Sequence, residues 1–308
     1  MATTGGHLVQ LHELADRLPA FRSRLWVTFP GEQGRSLLAG ERVVFVQEIA
    51  ERDVRGVLRT VPMAHRLLAA ERPSAVVSTG SAIALAFLPY AALRGISAHY
   101  IESAARTGAP SLTGRMLAPL PGIQLYRQYE GHAKGRWRYG GSVFDGFVPE
   151  VGPARPVRRL VVTLGTMPQS FRPLLARLVA ILPPQVEAVW QTGGTPADGL
   201  GIAATSFVPA AALEAAMRQA DAVVAHAGCG SALTALKVGK CPILVPRDPH
   251  EQEIVDAHQT EVAAQLDSRG LALWRRPDTL SFTDIEAAAS RKVRRTAAPP
   301  PFQLAGFS

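Results

Sequence analysis

Four turns rich in glycine and small polar residues are the places in this sequence where an anionic ligand could bind. They are Thr4-Gly5-Gly6-His7, Ser78-Thr79-Gly80-Ser81, Thr163-Leu164-Gly165-Thr166 and Ala225-His226-Ala227-Gly228-Cys229-Gly230-Ser231. In open α/β sheets such turns follow the carboxyl ends of strands, where backbone amides and helix N-termini face phosphates and other anions. The turns therefore predict ligand contacts in both halves of the chain.

The turn at residues 225–231 has the most specific pattern of the four. The apolar run Ala222–Ala225 leads into small residues, and a helical pattern begins near Ser231, which suits a diphosphate. It is not a dinucleotide fingerprint, because the third glycine of GxGxxG is absent. From this segment alone, a diphosphate-binding turn and a purely structural turn both stay open.

Apolar runs typical of strands alternate with helical patterns along the chain. The predicted strands are Leu25–Phe29, Val43–Val46, Ala75–Val77, His99–Ile101, Ile123–Tyr126, Leu160–Thr163, Ala188–Trp190, Ala222–Ala225, Pro242–Val245 and Leu271–Trp274. The predicted helices are Leu8–Leu18, Val54–Ala70, Ala82–Leu93, Phe171–Leu182, Ala210–Gln219, Ser231–Val238 and Glu253–Ser268. Strands rich in Val and Leu that alternate with helices predict an α/β fold with buried parallel sheets.

The domain boundary is predicted where prolines cluster. Three prolines fall within Pro149–Pro156 and would interrupt any regular element there. The predicted domains are residues 1–148 and 158–290, joined by a linker at 149–157 and followed by a basic, Pro-rich tail at 291–308. The Pro-rich part from Ala297 to Ser308 is expected to be disordered.

Charge and composition narrow the classes of partner. The 308 residues carry 33 basic and 25 acidic side chains, and residues 1–150 hold 17 and 12 of them. A basic first half and tail favour nucleic acid, a phosphorylated ligand or an acidic membrane surface. With 47% hydrophobic and 19% charged residues, the composition excludes an extended or disordered protein.

Cysteine usage and hydropathy predict a cytoplasmic protein. Cys229 and Cys241 are the two cysteines, and their spacing fits two reduced thiols and no zinc site. The first residues lack the pattern of a secretory signal. The longest apolar run, Ala82–Leu93, has 12 residues, whereas a spanning helix needs about 20. Any membrane contact is therefore expected to be peripheral.

Two separate sets of residues resemble known glycosyltransferases. In the second half, His226–Leu233, then Gly239–Pro246, then His258-Gln259 are similar to the donor-binding half of glycosyltransferase family 28. In the first half, the resemblance is to the acceptor-binding, membrane-associated subunit of the eukaryotic dolichol-linked N-acetylglucosaminyltransferase, and it rests on Val77–Gly80, Tyr100–Arg106 and Pro110–Gly114. The order acceptor then donor resembles fused bacterial polysaccharide-biosynthesis glycosyltransferases. The resemblance covers about residues 4 to 285.

The resemblance implies a GT-B fold, in which two Rossmann-like domains face each other across a cleft and the second mainly holds a UDP-sugar. It implies no cofactor and no metal, with the UDP-sugar as co-substrate, because amides and a helix dipole stabilise the leaving diphosphate. Phe207 and Val208 would line the uracil pocket. The implied donor-binding residues are Gly165, Thr166, Gly193, Gly194, Phe207, Val208, His226, Gly228, Gly230, Ser231, Thr234, His258 and Gln259.

The chain departs from the family pattern at two places. Thr234 stands where many relatives have a glutamate that accepts hydrogen bonds from the ribose hydroxyls, and a hydroxyl is the weaker acceptor. The Gly5-Gly6-His7 turn should follow a first strand, yet only Met1–Thr4 precedes it. The sequence thus predicts either a stunted first strand or a start placed too late, and no N-terminal membrane anchor.

Inversion at a sugar carbon needs a base beside the acceptor hydroxyl. His7 is the first candidate, because histidine titrates near neutral pH and the residue matches a Gly-Gly-His motif of the superfamily. Glu102 is the rival candidate, and the choice stays open. The predicted acceptor-binding residues are Gly5, Gly6, Gly80, Ser103, Arg106, Ser111 and Thr113, of which Arg106, Ser111 and Thr113 would hold a diphosphate.

The predicted activity is that of an inverting, metal-independent hexosyltransferase. It would move N-acetylglucosamine or a related sugar from a UDP-sugar to a polyprenyl-diphosphate-linked acceptor in polysaccharide or glycolipid biosynthesis. An anionic membrane surface at the inner face of the cell membrane is the expected partner, a homo-oligomer is allowed, and nucleic acid is not expected. A UDP-sugar 2-epimerase on the same fold and a non-catalytic nucleotide-sugar-binding partner are the alternatives.

Overall fold

The structure is a computed structural model that describes residues 1–19, 23–50, 52–153, 155–165, 169–247 and 258–307. The chain forms two compact units, one of Met1–Asp145 with Pro300–Ser308 and the other of Gly146–Pro299. The division falls at Asp145, a few residues before the predicted 149–157 linker, and the last residues of the chain return to the first unit.

The first unit alternates strands and helices as predicted. Its strands are β1 (Trp26–Thr28), β2 (Val43–Phe45), β3 (Ala75–Ser78), β4 (Ser97–Ile101), β5 (Ile123–Arg127) and β6 (Trp137–Tyr139). Its helices are α1 (Gly6–Ala15), α2 (Glu32–Leu37), α3 (Val54–Glu71), α4 (Ala82–Leu93) and α5 (Leu112–Leu117). Helix α4 has the bounds that its apolar run predicts.

The strands of this unit are parallel, in the orders β1-β2 and β3-β4-β5-β6. Residues 1–3 lie between β1 and β3, because Ala2 N donates to Val27 O (3.2 Å) and Thr3 N donates to Gly80 O (3.1 Å). This short extended segment occupies the place of the expected first strand. It delivers the Gly5-Gly6-His7 turn to the carboxyl end of β3.

Helix α4 packs on the sheet and forms the centre of this core. Ile83, Phe87 and Leu88 are all fully buried and lie in one cluster with Tyr100 and Leu125 of the strands. Burial of such large apolar side chains contributes roughly 1.5–3 kcal/mol each. The apolar run is therefore a core helix that packs on the parallel sheet.

The second unit contains a six-stranded parallel sheet in the order β10-β9-β8-β11-β12-β13. The strands are β8 (Arg159–Thr163), β9 (Glu187–Gln191), β10 (Ala204–Thr205), β11 (Ala222–His226), β12 (Ile243–Val245) and β13 (Leu273–Trp274). The helices are α6 (Arg172–Ile181), α7 (Ala210–Gln219), α8 (Cys229–Lys237), α9 (His258–Ser268) and α10 (Phe282–Ala289). Residues 253–257 of the helix predicted at 253–268 lie outside the described residues.

The strand order reverses between β8 and β11. From β8 the chain proceeds to β9 and β10 on one side, and then to β11, β12 and β13 on the other. In doubly wound sheets such a switch point opens a crevice at the carboxyl ends of the two strands, where ligands bind. The turns at Gly165 and Gly228 follow these two strands.

The disorder predicted from Ala297 onward is not observed in residues 297–307, and the basic cluster that precedes them is also regular. Residues Arg291–Arg295 form strand β14, which pairs antiparallel with β7 (Phe147–Val151). Val293 is buried between exposed basic neighbours, so the charge cluster is the solvent face of a strand. The predicted linker is likewise interrupted by β7, which accommodates Pro149 because its partner is this one strand.

The last residues also pack tightly, on the first unit. Phe302 and Leu304 are 1% and 3% exposed. Phe302 N donates to Arg17 O (2.7 Å) and Gln303 N donates to Gly140 O (2.8 Å). A Cβ atom at Gly140 would lie 2.7 Å from the Phe302 ring. The proline-rich composition is thus that of an extended, docked segment, which periodicity could not reveal.

Candidate functional site

His7 lies at the start of α1 and is tied to the turn after β3. Its Nδ1 is 2.6 Å from Thr79 O, and Thr79 Oγ1 donates back to His7 O (2.9 Å). A carbonyl only accepts, so Nδ1 carries the proton and Nε2 keeps its lone pair. Burial lowers the pKa of His7, while the Thr79 carbonyl and the nearby Glu102 charge act in the opposite direction. The imidazole is therefore neutral at neutral pH and can accept a proton at Nε2.

Glycine at position 80 leaves room for this imidazole. Gly80 has φ +103°, and a Cβ there would lie 3.1 Å from His7 Cε1 and 3.5 Å from the Tyr100 hydroxyl oxygen. Any other residue would be strained by that φ and would press on the ring. The predicted acceptor residue Gly80 thus lies against the candidate base.

Glu102 is fully buried at the end of β4 and its carboxylate is surrounded by donors. Oε1 accepts from Tyr100 Oη (3.2 Å) and Ser103 N (3.1 Å). Oε2 accepts from Ser111 N (2.9 Å) and Ser111 Oγ (3.0 Å). The glutamate is 0% exposed. A carboxylate with both oxygens engaged and no exposure is arranged to hold the 103–111 loop.

Burial and the Glu102 charge also affect Tyr100. Together they raise the pKa of its phenol well above the usual value, so Tyr100 stays protonated and donates to Glu102. A Cβ at Gly114 would lie 2.5 Å from Glu102 Oε2 and 2.9 Å from Trp137, so helix α5 approaches the carboxylate through a glycine. These contacts fix the start of α5 against the end of β4.

Ser103 belongs to a buried amide network. Gln10 Nε2 donates to Ser103 Oγ (3.0 Å), and Gln10 Oε1 accepts from Ala104 N (2.7 Å). Gln128 Nε2 donates to Glu102 O (3.0 Å), and its Oε1 accepts from Val143 N (2.8 Å). The network joins α1, on which His7 lies, to the loop that follows β4.

The structure places the remaining predicted acceptor-binding residues in different surroundings. Arg106 is half-buried. Its charge adds to the lowering of the His7 pKa and opposes the net rise of the Tyr100 pKa. Ser111 Oγ accepts from Gly114 N (3.0 Å) and caps α5, and Thr113 is buried. Gly5 N donates to Gln33 Oε1 (2.6 Å), and Gly6 is the first residue of α1. The structure therefore brings His7 into contact with Gly80, and Glu102 into contact with Ser103 and Ser111. Tyr100 lies between the two groups.

In the second unit, His226 is packed into the switch point of the sheet. A Cβ at Gly228 would lie 2.3 Å from His226 Nε2, and a Cβ at Gly165 would lie 2.6 Å from its Cε1. Both turns therefore need glycine, because a side chain at either position would overlap the His226 imidazole. Burial and the Arg247 charge lower the pKa of His226 to about 3, so the ring stays neutral.

Helix α8 begins directly at the glycine turn. Its first main-chain bond runs from Ala232 N to Gly228 O (3.0 Å), so the N–H groups of residues 229–231 precede it and are available to an anion. Gly230 and Ser231 lie in this first turn, and Ser231 is partly exposed. Burial raises the pKa of the Cys229 thiol to about 12, so no thiolate competes with an anion there.

Thr234 lies one turn further along α8. Its Oγ1 donates to Gly230 O (2.9 Å), which leaves only hydroxyl lone pairs for a ligand.

Two other predicted turns follow strands at the same edge of the sheet. Gly193 N donates to Ser206 O (3.1 Å), which joins the turn at Gly193-Gly194 to the segment that leads to Phe207 and Val208. The Phe207 ring is 42% exposed, as a stacking surface requires.

The predicted pair His258-Gln259 opens α9. Gln259 is 3% exposed, and its Oε1 accepts from Arg247 N (3.0 Å), so the glutamine supports the loop after β12 from within. Thr166 lies outside the described residues. The structure therefore places Gly165, His226 and Gly228 in direct contact and places the other donor-side residues along the carboxyl edge of the same sheet.

Sequence reasoning missed Gln10, Tyr100, Arg127, Gln128 and Arg247. Gln10 had a usable signal, because it lies three residues after His7 on the same helix face. The two arginines had none, since an isolated arginine after an apolar run is usually a surface residue. Over the residues that the structure describes, no cluster of His, Cys, Asp and Glu has the geometry of a metal site.

Comparison with known proteins agrees with this geometry. Residues 186–289 match the glycosyltransferase family 28 C-terminal domain. The matched segment lies within the second unit. It contains β9 to β13 and the turns at Gly193, Phe207 and Gly228, so the resemblance seen in the second half is confirmed. No curated protein matches the chain.

Solved structures show the fold of the whole chain. MurG from Acinetobacter baumannii is 18% identical, with a TM-score of 0.57 over 93% of this chain and 88% of its own. The glycosyltransferase SnogD from Streptomyces nogalater is 21% identical, with a TM-score of 0.55 over 94% and 91%. The spinosyn rhamnosyltransferase SpnG, complexed with thymidine diphosphate, is 20% identical, with a TM-score of 0.54 over 94% and 90%. The predicted GT-B fold is confirmed.

Proposed function

We propose that this protein is an inverting glycosyltransferase that moves a hexosyl group, N-acetylglucosamine or a related sugar, from a UDP-sugar to a polyprenyl-diphosphate-linked acceptor. The family 28 match carries the proposal, because its residues 186–289 include the turns that line the carboxyl edge of the second sheet. SpnG, a structural neighbour, was solved with thymidine diphosphate, which supports a nucleoside diphosphate as the donor's leaving group.

The N-terminus of α8 is the proposed diphosphate site. The N–H groups of residues 229–231 and the helix dipole would stabilise the charge that develops on the diphosphate as the sugar leaves. The neutral His226 beneath the turn adds no charge and keeps the two glycine turns apart. Phe207 would stack on the base. Because amides supply the stabilisation, transfer needs no metal ion.

His7 is the proposed general base. Its Nε2 would take the proton of the acceptor hydroxyl as that oxygen attacks the anomeric carbon. The bond from that carbon to the diphosphate oxygen breaks, and the pair of electrons leaves with UDP. The bond of Nδ1 to Thr79 O holds the tautomer that this step needs. Glu102 is assigned a positioning role, since both of its oxygens already accept hydrogen bonds.

An anionic membrane surface is the proposed location of the acceptor. Val54 and Leu58 of α3 are 64% and 63% exposed and lie one turn apart. Arg55 and Arg66 are exposed on the adjacent stripe of the same helix. Apolar side chains beside arginines suit a peripheral contact with anionic lipid, worth about 1 kcal/mol per basic residue. In the described part of the chain, no helix has the length and hydropathy of a transmembrane segment.

The test is product analysis. Purified protein is incubated with a panel of UDP-sugars and a polyprenyl-diphosphate-linked sugar, and the lipid product is identified by NMR and mass spectrometry. A β-linked product from an α-linked donor is expected. UDP-sugar without acceptor is the control, because its conversion to the 2-epimer would identify an epimerase. UDP binding without any product would identify a non-catalytic binding partner.

A further inference from the structure

Each unit contains a fully buried arginine at or just after the carboxyl end of a parallel strand. Among the described residues, Arg127 and Arg247 are the two largest fully buried side chains, each 1% exposed. Arg127 is the last residue of β5, and Arg247 lies two residues after β12. Guanidinium groups are rarely buried without strong partners, because loss of hydration is costly. Their partners therefore indicate what the two side chains do.

Arg127 binds the loop that follows β4. Its Nη2 donates to Arg106 O (3.1 Å) and Thr107 O (3.4 Å), and it also contacts Gly108 O. The guanidinium carbon lies 5.7 Å from the centre of the Trp137 ring. One side chain thus gathers three consecutive carbonyls of the loop that carries Arg106, a candidate acceptor-binding residue.

Arg247 binds main-chain carbonyls between β8 and α6. Its Nη2 donates to Leu164 O (3.2 Å) and Gln169 O (3.3 Å), so one guanidinium joins the residues just after β8 to those just before α6. Its guanidinium carbon lies 5.2 Å from the centre of the Phe171 ring. Gln259 holds the Arg247 backbone (3.0 Å). This loop is a candidate donor-binding loop.

Arginine suits this task better than lysine. Its planar fork presents several donors in fixed directions and stacks on an aromatic ring, so one side chain can fix several carbonyls at once. A carbonyl held in this way fixes its peptide plane and therefore the direction of the N–H group in that plane. The position of those amides decides how well an anionic substrate group is bound.

We propose that Arg127 and Arg247 are positioning residues, each of which holds one substrate loop, Arg127 for the acceptor and Arg247 for the nucleotide-sugar donor. The assignment to the two substrates rests on the proposed function; the loop-holding role does not. Neither residue needs to touch a substrate. Loss of either arginine should therefore weaken the binding of one substrate and leave the binding of the other almost unchanged.

The test compares Arg127→Met and Arg247→Met with two matched controls. Arg136 binds Leu120 O (2.8 Å) and Ile123 O (3.0 Å), and Arg177 binds Leu280 O (2.7 Å); both hold carbonyls outside the candidate loops. KM is measured for each substrate, and hydrogen exchange is measured by mass spectrometry on peptides covering residues 102–110 and 160–171. Arg127→Lys and Arg247→Lys replace any methionine variant that fails to fold.

The two methionine variants should each raise the KM of a different substrate. Arg247→Met should raise the donor KM by about 10-fold or more and increase exchange at 160–171, while Arg127→Met does the same for the acceptor and 102–110. The lysine variants should show smaller shifts in the same directions, and the Arg136→Met and Arg177→Met controls should show neither. Equal changes in both KM values, exchange that rises throughout a unit, or no local change would overturn the proposal.

Failure of the proposed function is distinguishable from this outcome. If the wild-type protein transfers no sugar, the exchange measurement and the UDP affinity of Arg247→Met still decide the loop-holding role. Faster exchange confined to the matching loop would then support it. Unchanged exchange in both loops would overturn it whatever the activity.

Discussion

The imidazole of His7 donates from Nδ1 to the carbonyl oxygen of Thr79 over 2.6 Å, and this bond joins the first turn of α1 to the turn after β3. It fixes which ring nitrogen is basic. It also links two of the four glycine turns that the sequence singles out, since Gly80 follows Thr79 directly. The chemistry proposed for the first unit depends on this relationship.

Replacement of His7 by Gln should lower kcat by about 10²- to 10⁴-fold, the usual contribution of a general base. UDP affinity should be unchanged. The pKa of His7 is lowered by burial, so the acid limb of kcat/KM in the wild-type protein should lie below pH 6.5, where the base becomes protonated. Loss of this limb in His7→Gln is expected. A variant that keeps the wild-type profile would contradict the assignment; His12→Gln, on the same helix, is the control.

Replacement of Glu102 by Gln should destabilise the local structure and leave proton transfer by the base in place. The new NH₂ group would face donors such as Ser111 N, and an unsatisfied buried polar pair costs about 1–3 kcal/mol. We expect a lower Tm and a higher acceptor KM, with the acid limb of the pH profile retained. Tyr100→Phe, which removes one donor to the same carboxylate, should show a milder form of this effect. An abolished acid limb would make Glu102 the base instead.

Replacement of Gly228 by Ala should abolish tight UDP binding. The added Cβ would fall 2.3 Å from His226 Nε2, so the turn must move away from the start of α8. A loss of about 10-fold or more in affinity is expected, measured by isothermal titration calorimetry. Gly131→Ala is the control, because a Cβ there meets nothing within 4 Å. Equal UDP affinity in Gly228→Ala and wild type would remove the turn from the proposed donor site.

Acid should destabilise the protein partly through His226. Its pKa is about 3 in the folded state against 6.5 for the ordinary side chain, so the unfolded chain binds the extra proton between these values. Stability from the neutral ring is complete above pH 6.5 and is lost as the pH falls, by up to about 1.4 kcal/mol per pH unit. The free energy of unfolding, measured with denaturant between pH 7 and 4.5, should fall less steeply with decreasing pH for His226→Gln than for the exposed His65→Gln. Parallel slopes would refute this linkage.

Transfer should proceed in the presence of a chelator. The proposal places the leaving diphosphate on the amides of residues 229–231 and the α8 dipole, so activity in EDTA should equal activity with Mg²⁺ within about twofold. The measurement is the initial rate with each UDP-sugar after removal of divalent ions. A rate that falls with EDTA and returns with Mg²⁺ would require a metal in the donor site.

Local patterns in the sequence determined the layers of this fold. Alternation of Val- and Leu-rich runs with helical stripes predicted the parallel strands and the buried helix α4, because side-chain periodicity follows directly from backbone geometry. Glycine turns after strands predicted the edges at which His7, Gly80, Gly165 and Gly228 lie. The motifs in the second half resemble glycosyltransferase family 28, and the match at residues 186–289 confirms that resemblance.

Only the tertiary structure decided which of these turns contact one another. The strand β14 and the docked segment at Phe302 depend on surfaces far away in the chain, and local composition suggested disorder for the Pro-rich end instead. By sequence Glu102 is a candidate base, whereas in the structure its carboxylate accepts hydrogen bonds from Tyr100, Ser103 and Ser111. The burial of Arg127 and Arg247 likewise depends on carbonyls of loops that are distant in sequence. Such long-range contacts leave no periodic signal, because they are set by how the strands are ordered in the sheet.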